Sequence, residues 1–249
     1  MLKKNLLLAI GLLLLIQLTT CLPKPTSSES EEDNIIPHGT STAMSSVSES
    51  AVPNGRKRLE ANVFKGHINF LNFCLRRSNQ IAKNVLADPS MNRIESQAME
   101  YERNTLTKYV KDSKQALAMV LPADKNGRND RFFFAMGKDF VLEDFNGFYR
   151  RRASTFEVLT PEQQVSWEAL KKHGALEYNA EMKKRSKEFA SHIVDEFDNY
   201  MKTLPAAERE KEKELYEVWD KYTKNKLEFD KVELGEKLFL ELFQYESDK

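Results

Sequence analysis

Leu159-Thr160-Pro161-Glu162-Gln163-Gln164 constrains this chain more than any other stretch, because three helix-start signals coincide there. Thr160 can accept from the first free amides, Pro161 suits the first helical position, and Gln163 can reach back as the capping-box partner. A short helix then runs to His173 and stops at Gly174, a residue suited to a left-handed turn. The next helix spans about 176–204, until Pro205 breaks it. Its apolar stripe is Tyr178, Met182, Phe189, Ile193, Phe197, Tyr200 and Leu204, widened by Val194 and Met201. Two consecutive helices set an all-helical frame.

The remainder of the chain agrees with that frame. Phe64, Ile68, Leu71, Leu75, Ala82 and Val85 recur at helical period, which predicts a helix over 59–86. Asp88-Pro89-Ser90 breaks it and caps a second helix over 91–121, whose polar middle, Glu95 to Lys108, is expected to face solvent. The pair reads as an antiparallel helical hairpin over 59–121. Asp124 to Asp130 is a turn cluster. Phe132-Phe133-Phe134, Phe140-Val141-Leu142, Phe145, Phe148 and Tyr149 fit no simple period. A helix over 142–151 with the triple Phe as a buried connector fits them best. A charge-dense helix over 206–226 and a last one over 231–245 complete the series, and no segment alternates like a strand. The expectation is all-α: about seven amphipathic helices in a single irregular bundle over 59–249.

Met1 to Asn5 is a short basic start, and Leu6 to Leu18 is almost unbroken aliphatic, ending in Thr19-Thr20-Cys21. That order is the pattern of a secretory signal peptide over 1–21; the alternative is a lipoprotein signal lipidated at Cys21. No other segment approaches membrane-spanning length, so the expected product is secreted, with no transmembrane segment in the mature chain. Of 38 basic residues Lys3 and Lys4 leave with the signal, so 36 face 38 acidic residues, a net charge of −2. That balance gives no footprint for nucleic acid. Cys74 has no partner once Cys21 is removed, so the fold has to rely on its apolar core. Residues 22–58 form a Ser/Thr/Pro-rich leader, acidic from Ser27 to Asp33, that cannot bury enough surface to be ordered. Arg56-Lys57-Arg58 closes it, either as a solvated linker end or as a dibasic processing site at Lys57-Arg58. Ser27 and Ser30 carry a weak acidic-directed phosphorylation pattern.

Little in the chain signals catalytic chemistry. No Gly-rich phosphate loop, nucleophile elbow or His-Glu-x-x-His stretch is present, and no spacing suggests zinc. The expectation is a non-enzymatic protein with no metal and no cofactor. Glu188, His192 and Glu196 sit at one-turn intervals, but an ion-paired, solvated histidine explains them more simply than a metal site. Cys74, between Phe73 and Leu75, reads as a small buried apolar residue. What stands out is an aromatic and methionine surplus in one half of the chain: Phe140, Phe145, Phe148, Tyr149, Trp167, Met182, Phe189, Ile193, Phe197 and Met201. These side chains are either core or the lining of an apolar cavity. In the second case Arg150, Arg151 and Arg152 suit a carboxylate head at its mouth better than Lys171 and Lys172, because guanidinium binds carboxylate in two-pronged fashion.

Asp144-Phe145-x-x-Phe148-Tyr149, Leu159-Thr160-Pro161-Glu162, Ala169 to His173, Lys184-Arg185-Ser186 and the close at Leu204-Pro205 resemble the secreted fatty-acid- and retinol-binding proteins of nematodes. The resemblance runs over roughly residues 140–225. It implies an α-helical carrier holding a fatty acid or retinoid in an internal cavity. The competing expectation is a secreted helical interaction protein with a solid core, no ligand, and an unknown protein partner or host target.

Overall fold

The computed structural model describes residues 55–124, 127–154, 158–204, 210 and 212–224, together with Leu234, Gly235, Leu238, Phe239 and Leu242. The expectations for residues 1–54, including the signal peptide, the leader and Ser27 and Ser30, lie outside the described residues. So does most of the segment expected as the last helix. Arg56 to Lys249 form one compact unit. It is all-α: α1 (Gly55–Leu86), a 3-10 turn (Pro89–Asn92), α2 (Gln97–Ala118), α3 (Arg128–Ala153), α4 (Pro161–Lys172), α5 (Ala175–Thr203) and α6 (Lys213–Lys224). Among the described residues there is no strand, and no helix is long and apolar enough to cross a membrane.

Capping chemistry places the helix ends. The Thr160 amide donates to Gln163 Oε1 (3.0 Å), and the Gln163 amide donates to Thr160 Oγ1 (3.3 Å), so the capping box at α4 forms as written in the sequence. Gly174 takes φ +88°, the left-handed conformation that lets α4 end and α5 begin within three residues. The expected second helix is split. Asp88 caps the 3-10 turn by accepting from the Ser90 amide, and Ser96 accepts from the Met99 amide to start α2 afresh. The largest difference is α3, which begins at Arg128 rather than near 142. Asp130 Oδ2 accepts from the Gly127 amide, so the turn cluster is itself a helix start. The triple Phe is helical, and at about 100° per residue its rings leave on three different sides, which is why they show no period. Phe134 meets Phe64 on α1 at 6.3 Å, Phe132 packs against the apolar cluster that includes Leu59, Phe197 and Leu234, and Phe133 is exposed.

Helix directions follow from the side-chain pairs. Asn62 with Glu196, Gly66 with His192, Phe70 with Phe189 and Phe73 with Arg185 run α1 and α5 antiparallel. Glu102 with Arg152, Tyr109 with Phe145 and Ala116 with Lys138 run α2 and α3 antiparallel. Glu60 with Arg128, Phe64 with Phe134 and Asn72 with Lys138 set α1 parallel to α3. Ser78 with Tyr109 and Asn79 with Ser113 bring α2 onto the C-terminal half of α1. α1 is thus a shared wall for α2, α3 and α5. Its buried line runs Leu59, Val63, Leu71, Cys74, Leu75, Ile81, Ala82 and Val85.

Lys57 and Arg58, expected as the end of the leader, lie in the first turns of α1, and Leu59 beside them is buried. Arg56 is tied to Glu60 at 3.1 Å and to Glu212 at 2.5 Å.

The glycines give a graded test of this packing. A Cβ on Gly235 would lie 2.6 Å from the Ala190 carbonyl oxygen, backbone that cannot step aside. Gly235→Ala is expected to cost about 1–3 kcal/mol through overpacking. Gly137 lies mid-helix in α3, and a Cβ there meets only Met119 Cε at 3.7 Å. Gly137→Ala is therefore expected to stabilise by about 0.5–1 kcal/mol. Urea unfolding midpoints of the two variants should move in opposite directions.

Candidate functional site

The sequence-derived cavity set does not converge on one place. At one end, Phe145 and Phe148 of α3 and Met182 of α5 are buried. The Phe145 ring lies 5.2 Å from Tyr109 and 5.8 Å from Tyr178, edge-on to the latter. Tyr149 meets Trp167 of α4 edge-on at 5.7 Å, and both are half-buried. At the other end, Ile193, Phe197 and Met201 pack with Leu59, Val63, Leu215, Leu234, Leu238 and Leu242. Met182 and Met201 are nineteen positions apart on one helix, or about 28 Å of rise. Phe189 packs against this second group, stacked on His67 at 5.5 Å and on Phe70 at 6.1 Å. Phe140 is 46 % exposed and belongs to neither.

The arginine triplet also divides. Arg152 is buried and its guanidinium is engaged by both carboxylate oxygens of Glu102 while lying 3.7 Å from the Phe148 ring centroid. Ser166 of α4 donates to Glu102 Oε2 at 2.8 Å, so one buried carboxylate joins α2, α3 and α4. Glu102 was expected to face solvent; it is buried because Arg152 and Ser166 give its charge partners inside. Arg150 pairs with Glu143, and Arg151 is exposed. Arg152 is therefore engaged within the fold by Glu102. Arg152→Met should destabilise by about 3–5 kcal/mol by orphaning the Glu102 charge, whereas replacing both partners by apolar residues should be near neutral. Thermal melts of the single and double variants test this.

A buried polar seam unannounced by the sequence runs between α1 and its neighbours. Ser78 Oγ contacts the Tyr109 hydroxyl and donates to the Cys74 carbonyl, and Asn79 donates to Ser113 Oγ at 2.8 Å and to the Val110 carbonyl at 3.1 Å. Burial pushes the Cys74 thiol up to about 12, so it is protonated and inert at neutral pH. Lys138, with 1 % of its surface exposed, donates to the Ala116 carbonyl at the C-terminal end of α2 and to Asn72 Oδ1. Burial, then the nearby Arg76, lower its pKa.

His67 Nε2 lies 3.8 Å from Asp139 Oδ2 across the α1–α3 contact. Burial lowers His67 to about 4, while burial and then Glu143 raise Asp139 to about 7. Between about pH 4 and 6.5 the folded pair holds its proton on Asp139, and the unfolded pair holds it on His67. Folding moves the proton without net uptake, so the pair is silent in that window. His67→Gln should expose the Asp139 contribution: a raised carboxylate pKa means that stability falls as pH rises from about 4 to 7. Asp139→Asn should expose the opposite slope, with stability rising from about pH 4 to 6.5. Chemical denaturation of both variants across that range would show the two signs.

On the outer side of α5, Lys184, Lys187, Glu188, Ser191, His192 and Asp195 line an open groove. Glu188 pairs with Lys184 at 3.9 Å, and Glu196 accepts from the Asn62 side-chain amide at 2.8 Å. The Glu188, His192 and Glu196 series is thus divided between separate partners. Among the described residues, no group of His, Cys, Asp and Glu is placed to hold a metal ion. Comparisons with family models, with curated proteins and with solved structures found no match.

Proposed function

We propose that this chain is a secreted, non-enzymatic helical protein that acts through its surface, binding a macromolecular partner rather than enclosing a small ligand. The observation that carries this reading is the separation of the apolar set. Met182 and Met201 stand about 28 Å apart along α5. Of the three arginines suited to a carboxylate, Arg152 is committed to Glu102 and Arg150 pairs with Glu143. A pocket built from those residues would have to run the length of the helix and lose its head-group anchor.

A second reading keeps the resemblance to fatty-acid- and retinol-binding proteins in a reduced form. Tyr149 and Trp167 form a half-buried edge beside Phe148, with the Lys171 ammonium 5.6 Å from the Trp167 ring centroid. An apolar chain inserted there would have a cation at its mouth. Titration of folded, delipidated protein with a fluorescent fatty-acid analogue, in competition with oleate and retinol, separates the two. The surface reading expects no saturable, displaceable signal. A saturable signal displaced by the natural lipids, and weakened about tenfold or more in Trp167→Ala, would overturn it in favour of the carrier.

A further inference from the structure

Charge along α1 is segregated in a way that the net charge conceals. Between Ala61 and Leu86 the helix carries Lys65, Arg76, Arg77 and Lys83 and no acidic residue. Glu60, its one carboxylate, is engaged by Arg56 and Arg128. At 100° per residue, Arg58, Lys65, Asn69, Arg76, Gln80 and Lys83 fall within a sector of about 60°, opposite the buried line. All six are exposed. They form a straight strip about 38 Å long, with the four cations at intervals of about 10, 16 and 10 Å. None of the four lies in an ion pair among the described residues; the same holds for Lys111 and Lys114 on α2, while Lys108, Lys172 and Arg185 each hold a carboxylate.

We infer that this strip binds an extended sulfated polysaccharide. The inference rests on the surface-binding reading above and names its partner by charge complementarity. A row of cations one side chain wide fits a single linear polyanion lying along the helix. Guanidinium groups match oxyanions in two-pronged fashion, and the amides of Asn69 and Gln80 between them suit sugar hydroxyls. A lipid surface is the poorer occupant, because interfacial helices insert large apolar side chains and none on α1 is exposed. Single-stranded nucleic acid is poorer too, since its bases stack on exposed aromatic rings, which α1 also lacks. Nor can α1 enter a duplex groove, as α2, α3 and α5 pack against its flanks.

The test uses the full chain and heparin as the probe, titrated at about 0.15 M NaCl, where unspecific attraction is largely screened. Saturable binding is expected, with Arg76→Glu/Lys83→Glu weaker by about tenfold or more. Lys111→Glu/Lys114→Glu, an equal charge change at exposed positions on α2, should leave affinity within about twofold. Circular dichroism checks the fold of each, and Arg76→Gln/Lys83→Gln serves if reversal disturbs it. Absence of saturable heparin binding, an equal loss in the α2 variant, or tighter binding to duplex DNA or phosphatidylserine vesicles in the same buffer would overturn the assignment. The lipid titration decides the surface reading separately, so a heparin failure with no lipid bound removes the glycan and leaves that reading standing.

Discussion

α1 carries an apolar line from Leu59 to Val85, about 39 Å of helix, that has to be covered along its whole length. The bundle solves this by giving the line three partners. α5 covers the N-terminal half from one side, α3 covers it from another, and α2 takes over toward the C-terminal end. Burial of each large aliphatic side chain is worth about 1.5–3 kcal/mol, so covering this line is a large share of what holds the fold together. Its fourth side is left to solvent, which is why its uncommitted cations fall on one strip.

Buried polar groups then fix how the neighbours sit. Burying a polar group without a partner costs more than the bond it forms returns, so such groups penalise every register but the native one. Glu102, Arg152 and Ser166 can meet only when α2, α3 and α4 are correctly advanced. Lys138 can reach both Asn72 and the Ala116 carbonyl only where α3 crosses α1 and the end of α2. Among the described residues no buried side-chain polar atom lacks a partner. The His67–Asp139 pair belongs to the same logic, with the proton relocated so that neither group is buried charged.

Much of the local structure could be read from the chain. The Thr160–Gln163 box, Gly174 and the stripe of α5 each depend on residues within a few positions of one another, and each appears where expected. The triple Phe departs from the expected connector because its rings leave on three different sides of a helix, so no single face repeats. Glu102 looked solvated because its partners are 50 and 64 positions away. The aromatic set looked like one site because a one-dimensional list places Met182 and Met201 close together, whereas the helix holds them far apart.

The sequence by itself determined that the chain is helical, where α4 and α5 start and stop, and which side of each turns inward. Those outcomes rest on capping, on glycine and proline stereochemistry and on the 3.6-residue period, all of which act over a few residues. The tertiary structure alone decided that Arg152 is consumed by Glu102 and that the aromatics divide between two ends of α5. It also decided that Glu60, the one carboxylate of α1, is shared with Arg128 of α3. Charge and apolar area act across space, and a balance taken along the chain averages away the segregation that folding creates.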